Sequence, residues 1–260
     1  MTGKPPFCKQ RSMIQFFSMS DLPLKNKRIL ITGAARRVGR IFALACARAG
    51  ADVVIHHGHS EEEARSVHDE IKGLGRQAWI FKADLGDSSQ TRSLIPLVNE
   101  STPLHGLVNS AAIFEPLSLK QTTIKEWEKH ISINLTAPFL LSQAFAEQAT
   151  PGGRIVNILD WRALRPGADH FPYTISKASL AALTKSLAVA IAPQILVNGL
   201  ALGAILPPST GSPNPDIIKN VPMKRWAQEN EIEQALVFLL TSPEYITGEI
   251  IHLDGGRHLV

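Results

Sequence analysis

Short runs of β-branched and other apolar residues alternate along this chain with longer stretches of helical periodicity. The runs cover residues 28–32, 52–55, 77–82, 106–109, 154–158, 194–199 and 250–253. Helical patterns lie between them, for example at about 38–49 and 61–74. Nearly continuous apolar strands joined by helices are typical of a parallel sheet that helices cover on both faces. Right-handed crossovers then predict an α/β fold with a doubly wound parallel sheet.

The composition excludes several other classes of protein. Of the 260 residues, 44% are hydrophobic and 19% are charged, which supports a large core and excludes a disordered chain. The net charge of +4 is spread without a long basic run, so we predict no nucleic-acid partner. Charged residues interrupt every hydrophobic run before about 18 residues, so we predict no membrane span. Cys8 and Cys46 form no zinc or disulfide pattern, which favours a cytoplasmic location.

One domain accounts for most of the chain, because no repeat or linker separates two halves. Residues 1–25 precede the first strand and are predicted to be an N-terminal extension, of which residues 1–18 are predicted to be dispensable. Residues 26–260 form the predicted domain. A cluster of Pro, Gly, Ser and Asn at 207–215 follows a late strand, where ligands bind in open α/β sheets. Residues at about 204–228 are therefore a candidate substrate loop.

A glycine turn follows the first strand in the sequence TGAARRVG, residues 32–39. Gly33 permits a tight turn, and the free N–H groups of the following helix are suited to a pyrophosphate. By itself such a turn is more often a plain connection between two elements. Its place after the first strand favours a dinucleotide site.

The second strand ends in the sequence IHHGHS, residues 55–60, without the acidic residue that usually bonds the ribose of NAD. A carboxylate there would repel a 2′-phosphate, whereas His59, Ser60 and Arg36 or Arg37 could bind one. The sequence therefore favours NADPH over NADH. A solvated loop and a metal site are the other interpretations of these histidines. No second ligand cluster accompanies them, so no metal is predicted.

Tyr173 and Lys177, in the sequence YTISK, lie four residues apart and share one face of a predicted helix. The ammonium would favour the phenolate and lower the pKa of Tyr173, which suits an acid or base in catalysis. A Tyr and a Lys at this spacing are also common by chance, and they are then exposed surface residues with no catalytic role. Three further segments favour the catalytic interpretation, namely NSAA at 109–112, Asn134, and DGG at 254–256.

Over residues 26–256 the chain resembles the short-chain dehydrogenase/reductase family, because these motifs and Asp84 occur in the family's order. The resemblance implies a single Rossmann-type domain, usually a homotetramer, that moves hydride between a nicotinamide and a small-molecule substrate. It implies that Tyr173 is the acid/base, that Lys177 binds the nicotinamide ribose, and that Asn134 supports a proton relay through water. The predicted cofactor-binding residues are Gly33, Arg36, Arg37, Val38, Gly39, His57, His59, Ser60, Asp84, Leu85, Asn109, Ala111, Tyr173, Lys177 and Gly203.

Two departures from the family pattern narrow the resemblance to a subgroup of the family. Arg37 stands at the middle glycine of the turn, and Asp160 stands at the place of the catalytic serine, ahead of Tyr173. Both departures are similar to the pteridine reductases and the related dihydromonapterin and dihydrofolate reductases. Phe114 matches the aromatic residue that such enzymes stack on the pterin, and a core phenylalanine is an equal alternative. Arg37, Phe114, Asp160 and Tyr173 are the predicted substrate-binding residues, and Asp160 joins the predicted catalytic set.

The residues leave three functional hypotheses open. The first is an NADPH-dependent reductase of dihydropterin or dihydrofolate substrates, because reduction of a C=N bond needs a proton at nitrogen, which an Asp and Tyr pair can deliver. The second is a carbonyl reductase for 3-oxoacyl or sugar-like ketones, in which an ionised Asp160 would oppose the developing oxyanion. The third is a non-catalytic nucleotide sensor, against which the intact Tyr173 and Lys177 argue. Trp161, Arg162 and Arg165 either line the substrate pocket or serve packing and solvation.

Overall fold

Seven parallel strands form one sheet in the order β3-β2-β1-β4-β5-β6-β7, which confirms the predicted doubly wound fold. The computed structural model describes residues 22–100, 102–148, 151–207 and 216–260. The strands are β1 (Arg28–Ile31), β2 (Asp52–His57), β3 (Ala78–Lys82), β4 (Gly106–Asn109), β5 (Gly153–Asp160), β6 (Ile195–Leu202) and β7 (Ile250–Leu253). The order reverses between β1 and β4, which is where ligands bind in open sheets.

Helices cover both faces of the sheet, as nearly continuous apolar strands require. They are α1 (Arg37–Arg48), α2 (Glu61–Gly73), α3 (Ser88–Asn99), α4 (Ile124–Ile131), α5 (Ala137–Gln148), α6 (Phe171–Ile191), α7 (Asp216–Lys219) and α8 (Glu229–Thr241). A π-helical turn, Ser132–Thr136, joins α4 to α5. Phe42 of α1 and Leu236 of α8 pack on one face, and Phe145 of α5 and Leu94 of α3 pack on the other.

Three strands run further at their carboxyl ends than the sequence pattern predicts. β2 continues to His57, β5 to Asp160 and β6 to Leu202, instead of ending at residues 55, 158 and 199. The polar residues at the ends of β2 and β5 resemble loop residues in the sequence, yet they keep the strand hydrogen bonds. The extra residues carry side chains to the edge of the sheet where the ligand cleft lies.

The predicted boundary at residue 25 lies too late in the chain. Leu24 is buried in the core, and its N–H donates a hydrogen bond to the carbonyl of Ala49 at 2.9 Å. Gly50 lets this turn approach, since a Cβ there would lie 2.6 Å from the Cβ of Leu22. The domain therefore includes residues 22–25. Residues 1–18 of the predicted extension, Cys8, and most of the 207–215 cluster lie outside the described residues.

Within the described ranges, α6 is the one helix that is long and apolar enough to cross a membrane. The sequence predicts no membrane span at α6, because Lys177 and Lys185 interrupt its apolar residues. Lys177 is buried, and Leu180 and Ala181 pack in a cluster with Leu159 of β5. These contacts make α6 a core helix of the domain.

Candidate active site

A cleft of about 910 Å³ lies beyond the carboxyl ends of the strands, beside the point where the strand order reverses. The first turn, the chain after β4, the end of β5, the start of α6 and the end of β6 all contribute to it. Eleven predicted site residues line it: Gly33, Arg36, Arg37, Val38, Gly39, Ala111, Phe114, Asp160, Tyr173, Lys177 and Gly203. The fold thus brings the predicted cofactor turn and the predicted catalytic residues to one space.

The turn after β1 is packed so closely that two of its positions require glycine. Gly33 has a φ of +66°, and a Cβ there would lie 3.0 Å from the Cα of Ala111. A Cβ on Gly39 would lie 2.1 Å from the carbonyl oxygen of Gly33. The Thr32 hydroxyl ties the turn to the end of β4 by accepting the N–H groups of Ser110 and Ala111 at 2.9 and 3.0 Å. The turn therefore exposes backbone at the start of α1, where a pyrophosphate can approach.

Arg37 has a left-handed backbone conformation, which favours glycine. Its φ is +50°, which costs a residue with a Cβ roughly 1–2 kcal/mol. Its guanidinium donates a hydrogen bond to the carbonyl of Pro207 at 3.0 Å, and Arg36 lies 3.6 Å from Glu63 with 61% of its side chain exposed. Two guanidinium groups therefore stand at the mouth of the cleft beside the glycine turn.

His56, which the sequence analysis did not select, holds the glycine turn from below. Its Nδ1 accepts the N–H of Gly33 at 3.2 Å, and its Nε2 lies 3.1 Å from the carbonyl of Ala83. Because Nδ1 accepts, the ring is neutral and donates from Nε2. Burial lowers the pKa of His56 to about 4, although the bond to Ala83 opposes the shift. This single ring links the ends of β1, β2 and β3.

Its neighbour His57 does not line the cleft, and its predicted contact with the cofactor stays a prediction. Successive side chains in a strand point to opposite faces, so His57 lies on the α2 side. There it is buried near Glu61, in a separate depression with Lys82. His59 is exposed and Ser60 half-buried at the start of α2, outside the lining of the cleft. Their role toward a 2′-phosphate stays a prediction.

Asp84 and Leu85 follow β3 at the same edge of the sheet but do not line the cleft. The Asp84 carboxylate is exposed and accepts the N–H of Gly86 at 2.8 Å. Leu85 is buried in the core cluster that includes Leu94. The predicted contact of both residues with an adenine stays a prediction.

The predicted catalytic residues meet where β5 ends beside the first turn of α6. The hydroxyl of Tyr173 donates a hydrogen bond to Oδ2 of Asp160 at 3.1 Å. The other carboxylate oxygen accepts the N–H of Arg162 at 2.8 Å. Lys177 donates from Nζ to the carbonyl of Ile158 at 2.7 Å and lies 5.9 Å from the centre of the Tyr173 ring. A phenol, a carboxyl group and an ammonium therefore line one corner of the cleft.

The pKa of Tyr173 is shifted upward, which is opposite to the direction expected from the sequence. Burial and the neighbouring Asp160 carboxylate raise the pKa of Tyr173 well above its ordinary value. Burial also raises the pKa of Asp160, against the opposing bond from the N–H of Arg162. Burial lowers the pKa of Lys177 to about 8. These shifts favour the protonated form of the Tyr173 phenol.

Two buried asparagines position the loop after β4. Asn109 donates to Asn157 at 2.8 Å and to Ser142 at 3.4 Å, which ties β4 to β5 and α5. Asn134, in the π-helical turn, accepts the N–H of Ile113 at 2.9 Å and donates to the carbonyl of the same residue at 3.0 Å. Asn134 also donates to Ser176 of α6 at 3.0 Å. Asn134 thereby fixes the residue before Phe114, and its role in a water relay stays a prediction.

Phe114 forms a wall of the cleft and is not a core residue. It is 51% exposed, and its ring meets the ring of Tyr173 edge to face with centroids 4.6 Å apart. His170 stacks on Phe114 at 4.0 Å with an angle of 8° between the rings. Asp169 holds His170, with 2.9 Å between Oδ2 and Nδ1. The sequence carried no signal for His170, because it has no fixed spacing to the motifs.

Trp161 and two arginines line the cleft next to Asp160, and the Arg162 guanidinium also lies 5.8 Å from the centre of the Phe114 ring. Arg162 donates to Asp169 at 2.8 Å and packs 4.9 Å from the Trp161 ring. Arg257, which follows β7, packs 4.4 Å from the same ring. Trp161, Arg162 and Arg257 line the cleft, whereas Arg165 does not and donates to the carbonyl of Arg257 at 3.4 Å.

Comparison with known proteins gives several full-length matches. A family model described as enoyl-(acyl carrier protein) reductase matches residues 33–258. The 3-oxoacyl-[acyl-carrier-protein] reductase FabG of Staphylococcus epidermidis is 29% identical over 90% of this chain and 100% of its own. A short chain dehydrogenase from Burkholderia cenocepacia in complex with NADP is 32% identical, with a TM-score of 0.86 over 90% of this chain and 99% of that one. FolM alternative dihydrofolate reductase 1 from Brucella canis, complexed with NADP, is 30% identical, with a TM-score of 0.85 over 92% of this chain and 96% of that one.

Proposed function

This chain belongs to the short-chain dehydrogenase/reductase family, and on that basis we propose that it is an NADPH-dependent reductase of dihydropterin or dihydrofolate substrates. The observation that carries the proposal is the hydrogen bond between Tyr173 and a buried Asp160 in the cleft. Similarity to FolM from Brucella canis adds support, because its name describes a dihydrofolate reductase.

The residues of the first turn fit NADPH. Gly33 and Gly39 line the cleft at the start of α1, where helix N–H groups are suited to a pyrophosphate. Arg36 and Arg37 line the same end of the cleft, and their positive charges are complementary to the negative charge of a 2′-phosphate. The similar chains from Burkholderia and Brucella are complexes with NADP. Arg36 and Arg37 would hold the phosphate, and Lys177 and Tyr173 would face the nicotinamide ribose.

The Asp160 and Tyr173 pair is suited to protonating a ring nitrogen. NADPH, when bound, supplies the hydride to carbon. The phenolic proton of Tyr173 passes to the nitrogen of the C=N bond. A protonated Asp160 carboxyl group, which donates to Tyr173 in the reverse sense of the bond seen here, replaces that proton on the Tyr173 oxygen. Asp160 then takes a proton from solvent. Burial raises the pKa of both groups, which favours the protonated forms that this relay starts from.

Phe114 supports a flat aromatic substrate. Its half-exposed ring stands next to Tyr173, within the same cleft, where a pterin ring can stack on it or against its edge. His170 covers one face of Phe114 and the Arg162 guanidinium lies 5.8 Å from the ring centre, so a substrate would contact the part of the ring that these groups leave exposed.

A ketone reductase is the second candidate, and the similarity to FabG of Staphylococcus epidermidis favours it. FabG carries the name of a 3-oxoacyl reductase, and a ketone builds negative charge on oxygen during reduction. An ionised carboxylate 3.1 Å from the Tyr173 hydroxyl opposes that charge. The ketone hypothesis therefore requires Asp160 to stay protonated throughout the reaction.

One panel of assays separates these candidates. Oxidation of NADPH and of NADH is followed with dihydrobiopterin, dihydromonapterin, dihydrofolate, acetoacetyl-coenzyme A and ethyl acetoacetate. We expect the pterins to be reduced with NADPH preferred, and Asp160→Ser to lower pterin turnover by about two decades or more while raising weak ketone activity. Wild-type protein that reduces the ketones and ignores the pterins would establish the second candidate. Cofactor binding without turnover on any substrate would favour a nucleotide sensor.

A further inference from the structure

We propose that Arg257 and Trp161 form an anion-binding subsite in the cleft, and that the substrate carries a carboxylate or phosphate group away from the bond that is reduced. This inference rests on the proposed reductase function, and it adds a charge requirement to the substrate class. The subsite lies beside Asp160, because Trp161 is the next residue in the chain and both line the cleft.

Trp161 holds the Arg257 guanidinium in a fixed orientation. The guanidinium carbon lies 4.4 Å from the centre of the indole ring, which places the cation against the aromatic ring. Arg165 donates to the carbonyl of Arg257 at 3.4 Å and so restrains the backbone of the same residue. A stacked guanidinium keeps its N–H edge available for a planar anion, which it can bind with two parallel hydrogen bonds.

The carboxylates near Arg257 are already bound by other groups. Asp169 accepts from Arg162 at 2.8 Å and lies 2.9 Å from His170. Asp254 accepts the N–H of Gly256 at 2.9 Å and lies 2.7 Å from Nδ1 of His258. Among the described residues, no carboxylate lies within ion-pair distance of the Arg257 guanidinium.

A second guanidinium lies close to Arg257. Arg162 packs on the same Trp161 ring at 4.9 Å, and its Nε is buried without a hydrogen-bond partner in the described structure. Burial and the Arg162 charge lower the pKa of Arg257, while the more distant Asp160, Asp169 and Asp254 oppose the shift. A ligand anion at Arg257 would relieve this repulsion inside a partly water-excluded cleft.

The position of the subsite selects a kind of substrate. Arg257 stands on the Trp161 wall, while Phe114 and Tyr173 form the wall where the reacting ring is expected to lie. A substituent that extends from the ring toward Trp161 would bring an acidic group to Arg257. Dihydrofolate has such a substituent with carboxylates, whereas dihydromonapterin has a neutral hydroxylated one. We therefore infer that acidic pteridines are preferred over neutral ones.

The test compares a charged and a neutral substrate in two chemical classes. The pterin pair is dihydrofolate and dihydromonapterin, and the ketone pair is acetoacetyl-coenzyme A, which carries phosphates, and ethyl acetoacetate. Each is assayed with wild type, Arg257→Gln, Arg257→Lys, and the control Arg40→Gln, whose guanidinium pairs with Glu70 outside the cleft. Binding of folate and of 6-hydroxymethylpterin to the NADPH-loaded protein, read by tryptophan fluorescence, gives a measurement independent of turnover.

We expect Arg257→Gln to lower kcat/KM for the charged member of each pair by about tenfold or more, because KM rises. For the neutral member, kcat/KM should change by less than about twofold. Arg257→Lys should restore part of the difference, and Arg40→Gln should change neither member. Equal losses for both members would mean that Arg257 acts only by packing, and no change would mean that it binds no anion. Either result overturns the subsite. Failure of the proposed function is a separate outcome. In that case neither pterin is bound or reduced, and the anion subsite is still tested by comparing the charged and the neutral ketone.

Discussion

At the scale of single residues, the catalytic corner is built to keep a proton on Tyr173. The phenol donates to Asp160 and is buried, and both features raise its pKa. Lys177 is 5.9 Å from the phenol ring and donates to the carbonyl of Ile158. Burial and the Asp160 carboxylate, rather than the Lys177 ammonium, therefore set the direction of the shift in the pKa of Tyr173.

Replacing Tyr173 by Phe should remove the proton donor without disturbing the cleft. We expect turnover to fall by about two to four decades, because general acid catalysis contributes that much. NADPH affinity should change little, since the glycine turn and the arginines are intact. Steady-state kinetics and a fluorescence titration measure the two effects. Turnover within about fivefold of wild type would show that Tyr173 does not donate the proton.

His56 should make stability depend on pH between about 4 and 6.5. Its pKa is lowered to about 4 in the folded chain, so the unfolded chain binds more protons in this window. The free energy of unfolding should therefore fall as the pH falls, by up to about 3 kcal/mol from this residue. Urea unfolding of His56→Gln at pH 7 and pH 4.5 should show a smaller difference than wild type. His68→Gln, on the surface of α2, is the control and should retain the wild-type difference.

At the scale of elements, the sequence predicted the sheet well because each strand is a nearly continuous apolar run. The pattern could not show which side chains at the strand ends turn into the cleft. His56 and His57 look alike in the sequence, yet their opposite faces give one a bond to Gly33 and the other a place behind α2. Arg257 was missed for a related reason, since only the packing of the chain after β7 brings it to Trp161. Motif spacing identifies residues that lie close together in the sequence. It does not identify residues from distant segments that meet only in the folded chain.

The junction between the first turn and α1 should not tolerate a Cβ at Gly39. The new atom would lie 2.1 Å from the Gly33 carbonyl oxygen, which is backbone, so the turn itself must move. We expect Gly39→Ala to cost about 1–3 kcal/mol of unfolding free energy and to weaken NADPH binding by at least about tenfold. Gly73→Ala is the matched control, because a Cβ there meets nothing within 4 Å at the end of α2. Thermal unfolding and cofactor titration of both variants test the expectation, which fails if the two behave alike.

At the scale of the whole molecule, two helices each expose a large apolar side chain. Phe139 of α5 is 41% exposed and Val189 of α6 is 86% exposed. The homotetramer expected from the family resemblance would give these side chains a partner surface. This prediction concerns the assembled protein, because Phe139 and Val189 are exposed to solvent in a single chain.

A chain that begins at Met19 should fold, assemble and turn over like the full chain. Leu24 and Leu22 pack on the domain, so the cut leaves the first described contacts in place. Light scattering should report the same assembly for both chains, with four copies of the 28.4 kDa chain expected. Loss of solubility, assembly or activity in the shorter chain would show that residues 1–18 pack on the domain or on a neighbouring subunit.

The strand order also has a consequence for the growing chain on the ribosome. β1, β2 and β3 are synthesised first and can form one half of the sheet, but β1 stays unpaired along one edge until residues 106–109 of β4 emerge. A bare apolar edge is a template on which other chains can add strands. The half-made sheet is therefore the stage of synthesis at which the chain is most open to pairing with another chain.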